Sequence, residues 1–267
     1  MLTQSQIEFY HTFGFLQLHR YFSDDELTII NGEFETGMAI AETIDKPRDH
    51  HELLKWSTLG PETPFHRSLQ EDDRFLGVAE QIHGEDVVGL FCKSNRFTGS
   101  STAWHPDVED VRFKGIKFLF YLQSVDGNSG ALRVIPGSHR NPLHDALLNI
   151  KLRGPHSPYL EASGLNINDI PAHVCKSEPG DVIAFDFRLW HAAWGGSKDR
   201  RMCALNYYKN PKTQEEIVAA KELAGISKKN ESRFKEPHFD PYWLENAEGN
   251  TRRQRWIDWL HHYDYLD

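Results

Sequence analysis

Between residues 86 and 210 the chain repeats a pattern that few folds accept: short β-branched and aromatic runs, each stopped by Gly, Pro, Asn or Asp. "DVVGLFCKSNRF" (86–97), "GIKFLFYLQSV" (115–125), "ALRVIPG" (131–137), "DVIAFDFRLWH" (181–191) and "MCALNYYKN" (202–210) are the members of this series. Side chains of that kind favour a pleated, half-buried surface, and the stops are turn formers, so the stretch predicts strands joined by turns. On either side the pattern is helical. Thr3 with Gln6, Ser23 with Glu26 and Thr213 with Glu216 each fit a capping box ahead of apolar residues at helical spacing. "RFLGVAEQIHG" (74–84) reads as an amphipathic helix ending at Gly84, "GFLQL" (14–18) as a short strand, and "RRQRWIDWLHHY" (252–263) as a late helix.

The expectation is one domain over 1–267 with a mainly β core and flanking helices, a sandwich or barrel. Its parts are a helical opening over about 1–84, a β core over about 85–210 and a helical end over 211–267. Within the core, residues 143–178 are rich in loop formers and too long for a simple connection, which predicts a lid or substrate loop.

Charge and cysteine usage remove several function classes. The formal charge is −9, from 30 basic and 39 acidic side chains, and no basic run is present to neutralise a phosphate backbone, so nucleic acid is not expected. No 18 apolar residues run together, and the amino-terminal stretch has no secretory pattern, so no membrane association is expected. Cys92, Cys175 and Cys203 are odd in number and far apart, which argues against a disulfide framework or zinc knuckle and fits a reducing cytoplasm. Nothing in the sequence indicates an oligomeric state.

The chemistry concentrates at "WHPD". On an extended strand, His105 and Asp107 project to one face. Far downstream His191 closes "DVIAFDFRLWH", where alternation places it beside Phe185, Phe187 and Leu189, and a Gly-Gly turn then leads to Arg201 at the start of the next strand. A hairpin of this length predicts Arg201 near the metal without blocking it. Two histidines and one carboxylate leave coordination positions open, as in non-haem Fe(II) oxygenases. A permanently charged arginine fork beside them suits the distal carboxylate of 2-oxoglutarate.

"WHPD", "GALRVIPGSH" (130–139), "PGDVIAFD" (179–186), and the late histidine followed by "RR-x-x-A-L-N-Y" resemble the phytanoyl-CoA dioxygenase family of Fe(II)/2-oxoglutarate oxygenases. The opening "LTQSQIEFYHTFGFLQLHRYFSDDEL" is similar to that family's helical start, so the resemblance covers roughly residues 2–210. It implies a double-stranded β-helix, a cupin-like jelly-roll barrel, with His105, Asp107 and His191 as metal ligands and catalytic centre. It also implies Arg201 as the cosubstrate anchor, with neighbouring Arg200 as the alternative. Strand alternation and spacing favour Arg201. The implied reaction consumes O₂ and 2-oxoglutarate, releases succinate and CO₂, and hydroxylates an unactivated C–H bond of a small-molecule substrate. The presence of Asp107 argues against halogenation. Family members commonly carry a hydroxyl residue two after the late histidine, where this chain has Ala193; Lys93 or Asn95 is the expected replacement in holding 2-oxoglutarate.

Two alternatives remain at this level: a zinc hydrolase with the same three ligands, and a jelly roll that binds a small molecule without turnover. Other motifs read as structural. "HFDP", with His238 and Asp240, lacks a downstream histidine and arginine; His261 and His262 point apart on a helix; Ser138 and His139 sit in a turn. Trp104, Trp190 and Trp194 are core or pocket wall, and Arg96, Arg112, Phe113 and the long loop with Lys151 and Arg153 are candidate substrate contacts.

Overall fold

All three capping boxes form. The Thr3 hydroxyl accepts from Gln6 N–H and the Gln6 side chain returns the bond to Thr3, opening α1 (Gln4–Phe13). Ser23 and Glu26 do the same ahead of α2 (Asp24–Thr43), and Thr213 and Glu216 ahead of the long late helix. Each box satisfies two amide donors that the first helical turn otherwise leaves without partners. Gly14 ends α1 at φ 84°, where its N–H reaches Tyr10 O and a Cβ would stand 2.6 Å from the His139 ring. Only glycine meets both conditions.

The computed structural model describes residues 1–43, 53–84, 87–97, 101–153, 157–196, 199–234 and 239–267, the side chains of 232–234 excepted. After α2 come β2 (Leu53–Ser57), α3 (Pro64–Leu69) and α4 (Asp73–His83), with β1 (Phe15–Leu18) between the first two helices. The core strands are β3 (Val87–Gly89), β4 (Lys93–Phe97), β5 (Thr102–His105), β6 (Gly115–Tyr121) and β7 (Leu132–Val134). Helices α5 (Leu143–Asn149) and α6 (Pro158–Ala162) precede β8 (His173–Cys175), β9 (Val182–Asp186), β10 (His191–Ala193) and β11 (Arg200–Lys209). The chain ends in α7 (Gln214–Phe234), α8 (Pro241–Glu245) and α9 (Thr251–His262). No helix among the described residues is long and apolar enough to cross a membrane.

Two antiparallel sheets face each other. The larger runs β1-β9-β6-β11-β4-β2, with β3 also on β11; the smaller runs β5-β10-β7-β8. This is the expected jelly-roll barrel with helices outside it. Between the sheets pack Leu119, Tyr121, Leu132, Val134, Ile183, Phe185 and Leu189. The outer face of the large sheet carries a second core under α1 to α4 and α7 to α9, including Phe118, Phe120, Cys203, Leu205 and Tyr207. Alternate residues of one strand therefore serve different cores, which fixes the register: a one-residue slip would exchange every pair.

Three expectations need correction. "DVIAFDFRLWH" is two strands in two sheets rather than one. Asp186 accepts from Arg188 N–H and Nε at 2.9 and 2.7 Å, and Leu189 N–H bonds Asp186 O at 2.9 Å, so an aspartate-centred turn carries the chain from β9 across to β10. The segment from His191 to Arg201 is likewise a crossover between sheets, since β10 pairs with β5 and β7 while β11 pairs with β3, β4 and β6. Finally, in the stretch 143–178, α5, α6 and the turn at Ile167–Asp169 pack Leu147, Leu152, Leu160 and Ile167 against Trp104 and Trp190. That layer is a cover on the outside of the small sheet.

Candidate metal centre

His105 and His191 are directly opposite on β5 and β10, facing the space between the sheets, with ring centroids 4.3 Å apart. The Nδ1 of His105 lies 2.8 Å from Ala103 O, and that of His191 2.8 Å from Leu189 O. A carbonyl only accepts, so both Nδ1 atoms carry the proton and both Nε2 lone pairs are free for a metal. Asp107 lies beyond the strand: β5 ends at His105, and Pro106, which has no N–H to offer a ladder, breaks the extended run. The carboxylate still arrives, with Oδ1 3.9 Å from His191 Nε2. One ligand atom from each of the three residues lies within 4.8 Å of the others.

The segment after His105 is clamped in place. Val108 N–H bonds Phe187 O at 3.1 Å, Arg188 Nη1 donates to Val111 O at 2.9 Å, His144 Nε2 lies 2.9 Å from Glu109 O, and Arg153 pairs with Glu109. Lys117 on β6 places Nζ 2.7 Å from Asp107 Oδ2.

Electrostatics suit the donor set. Burial would raise the Asp107 carboxyl, but Lys117, His191 and His105 hold it down at about 2. Burial pushes His191 down to about 3, with His105 adding to the fall, and burial likewise lowers His105. At neutral pH the site therefore offers two neutral imidazoles and one carboxylate, the protonation a divalent metal requires. These donors fit ferrous iron and leave the positions opposite them open.

Strand β11 places the two arginines on opposite sides. Arg200 shares a face with Met202, whose cross-strand partner Tyr121 lies between the sheets; Arg201 points outward. The Arg201 guanidinium is engaged by Asn31 Oδ1 at 3.2 Å and Glu35 Oε1 at 3.5 Å on α2. This corrects the expectation from alternation, which started one residue late because β11 begins at Arg200. Arg200 is 2% exposed, stacks over Phe97 at 3.9 Å, and donates from Nη1 to Gly130 O at 2.9 Å. Among the described residues it pairs with no carboxylate, and its Nε is buried without a partner. Burial lowers its pKa. Gly130 permits the approach, since a Cβ there would lie 2.5 Å from Arg200 Nη1.

Lys93 and Asn95 lie on the barrel-facing side of β4, where Asn95 is opposite Met202 and Lys93 opposite Ala204. The remaining motifs are structural. Ser138 Oγ accepts from Trp190 N–H at 2.9 Å, Asp240 caps α8, and His238 lies outside the described residues. Trp104 and Trp190 point away from the candidate ligands into the outer cover, and Trp194 packs edge-on against Trp104 with Arg133 over its ring. Of the candidate substrate contacts, Arg96 pairs with Glu35 and Asp199, Arg112 with Asp110 and Glu222, and Phe113 packs on Tyr208, all on the outer side. Lys117 was missed. Its signal was present, because a lysine inside an otherwise apolar strand is costly unless paired.

Comparison with known proteins places this arrangement in context. The model of the phytanoyl-CoA dioxygenase (PhyH) family matches residues 10–203. The ectoine dioxygenase of Sphingopyxis alaskensis is 26% identical over 210 residues, 68% of this chain and 67% of that protein. The ectoine dioxygenase of Bordetella bronchiseptica is 29% identical over 157 residues, 52% of this chain and 50% of that protein. The matched part thus spans between half and two thirds of these relatives. HygX from Streptomyces hygroscopicus, solved with nickel and 2-oxoglutarate bound, superposes with a TM-score of 0.61 at 21% identity, over 80% of this chain and 89% of that chain. EctD from S. alaskensis, solved with 2-oxoglutarate and 5-hydroxyectoine, gives 0.59 at 21% identity, over 78% and 77%. At these identities the structural likeness carries the fold.

Proposed function

Because the chain belongs to the phytanoyl-CoA dioxygenase family of Fe(II)/2-oxoglutarate oxygenases, we propose that it hydroxylates a small molecule with His105, Asp107 and His191 as iron ligands and Arg200 as the anchor for 2-oxoglutarate. The observation that carries the anchor is the buried guanidinium of Arg200, which among the described residues meets no carboxylate. An unpaired buried cation is costly, and a dianionic cosubstrate supplies the missing charge. A zinc hydrolase would leave that cation without a purpose.

Bound iron with 2-oxoglutarate activates O₂, one oxygen atom going to succinate as CO₂ leaves and the other to a substrate C–H bond. The chain's own residues prepare that chemistry. The carbonyls of Ala103 and Leu189 fix the tautomer and tilt of the two imidazoles. Phe185 packs edge-on to His191 at 4.9 Å and, with Leu119 and Ile183, walls the site with groups that exclude water. Lys93 and Asn95, on the same face as Arg200, are the residues we assign to the place of the hydroxyl absent at Ala193. For the substrate, ectoine is the first compound to test, since it names the relatives above.

The test is succinate formation from 2-oxoglutarate with Fe(II) and O₂, alone and with ectoine and related compatible solutes, read by mass spectrometry. Turnover in wild type and none in Asp107→Ala is expected. No succinate from fully iron-loaded wild type under any condition, with zinc-dependent hydrolysis of a model ester instead, would overturn the proposal.

A further inference from the structure

Lys117 stands opposite Asn206 on one side and Phe185 on the other, in the middle of the large sheet and on the face turned toward the metal ligands. Its ammonium lies 2.7 Å from Asp107 Oδ2 and 5.6 Å from the centre of the Phe185 ring, and the side chain is 18% exposed. The other oxygen, Asp107 Oδ1, faces His191 Nε2. The two oxygens of one carboxylate are thus divided between two partners: one is turned toward the metal position and the other is held by a lysine.

That division has a consequence for coordination. A carboxylate ligates either through one oxygen or through both, and the second mode uses two positions on the ion. Three protein ligands, the two donor atoms of 2-oxoglutarate and O₂ together fill six positions only when Asp107 takes one. Among the described residues no other side chain is seen to restrain Oδ2: the clamps from Phe187, Arg188 and His144 hold the backbone at Val108, Val111 and Glu109.

Resting on the oxygenase reading above, we propose that Lys117 is a positioning residue that keeps Asp107 a one-oxygen ligand and so reserves a coordination position for 2-oxoglutarate and O₂. The Phe185 ring and the neighbouring strands confine the ammonium to this task. Partners of metal ligands at this distance typically change affinity at the metal by 10–100-fold when removed. Here the change falls on the cosubstrate rather than on the ion. Without the ammonium, Oδ2 turns to the metal; the ion is held as well as before, while 2-oxoglutarate loses a position.

The experiment compares wild type, Lys117→Met and Lys117→Arg anaerobically, after thermal unfolding of each apo protein shows that it folds. Fe(II) affinity is measured first. The metal-to-ligand charge-transfer band is then titrated with 2-oxoglutarate. Lys117→Met is expected to bind Fe(II) at least as tightly as wild type and to need about 10-fold more 2-oxoglutarate. Lys117→Arg, which still donates to Oδ2, is expected to recover most of the loss. If Lys117→Met fails to fold, Lys117→Thr, whose β-branched side chain suits a strand, takes its place. Unchanged 2-oxoglutarate affinity in the removal variant overturns the proposal, and so does a fall in Fe(II) affinity with normal 2-oxoglutarate binding by the metal-loaded fraction. Absence of the band in iron-loaded wild type instead overturns the oxygenase reading on which the proposal stands.

Discussion

Arg200 and Arg201 are neighbours in sequence with the same chemistry, yet the two sides of β11 give them different tasks. Arg201 lies against α2, partly exposed, with Asn31 and Glu35 to meet its charge. Arg200 lies between the sheets, sealed from solvent and stacked on Phe97, with a backbone carbonyl but, among the described residues, no carboxylate. Each arginine belongs to one side of the large sheet. Its outer side ties polar groups to one another, as in the buried chain of Cys203, His66 and Glu33, where Sγ lies 3.5 Å from Nε2 and Nδ1 lies 2.9 Å from a carboxylate oxygen. The inner side carries Arg200 Nε and Asn206 Oδ1 buried without partners on the face shared with His105, Asp107 and His191, although the outer side has such atoms too, Arg201 Nε and Trp56 Nε1 among them. A fold stabilises itself with the first kind of surface and does chemistry with the second.

The largest expected effect comes from the inner side. His191→Ala removes one of three donors and is expected to weaken Fe(II) binding more than 100-fold by equilibrium titration, leaving the unfolding midpoint of the apo protein nearly unchanged or raised, because a costly buried imidazole is gone. Phe185→Ala, by contrast, opens a cavity between the sheets and is expected to cost about 3–5 kcal/mol in urea unfolding.

Acid separates the sides in a different way. His83 and His139, on the outer side near the Asp186–Arg188 turn, are pushed by burial to about 4. The unfolded chain protonates both near pH 6.5 while the native state does not, so the contribution is intact above pH 6.5 and is lost as pH falls from 6.5 toward 4. The expected loss is on the order of 3 kcal/mol for each, about 6 kcal/mol for the two together, and His83→Gln should flatten the slope of urea midpoint against pH. The smallest effect belongs to the outer ion pairs. Glu35→Gln, which leaves Arg96 and Arg201 partly exposed to water, is expected to cost less than about 1 kcal/mol and to vanish in high salt.

The strands, the capping boxes and the three side chains that gather at the candidate metal centre were legible in the sequence because each is a local signal: a period, a turn former, a motif. What failed depended on where one sheet gives way to the other. "DVIAFDFRLWH" keeps an apolar pattern through Asp186 and Arg188, so periodicity alone does not reveal that these two close a turn. The orientation of the arginine pair hangs on the starting residue of β11, after a crossover whose length does not fix its path. Pro106 ends β5 before Asp107, so the two ligands meet by a turn where a shared strand face was expected. The tryptophans beside the ligands point outward because strand alternation sends neighbours of an inward histidine to the opposite side.

The most direct test of the two-sided account is an anaerobic titration of Fe(II)-loaded protein with 2-oxoglutarate, following the charge-transfer band in wild type, Arg200→Met and Arg201→Met. Loss of a charge-assisted contact at Arg200 is expected to raise the concentration needed roughly 10–100-fold, while Arg201→Met stays within about 3-fold of wild type. The reverse order, with Arg201→Met crippled and Arg200→Met normal, would contradict the account at its centre.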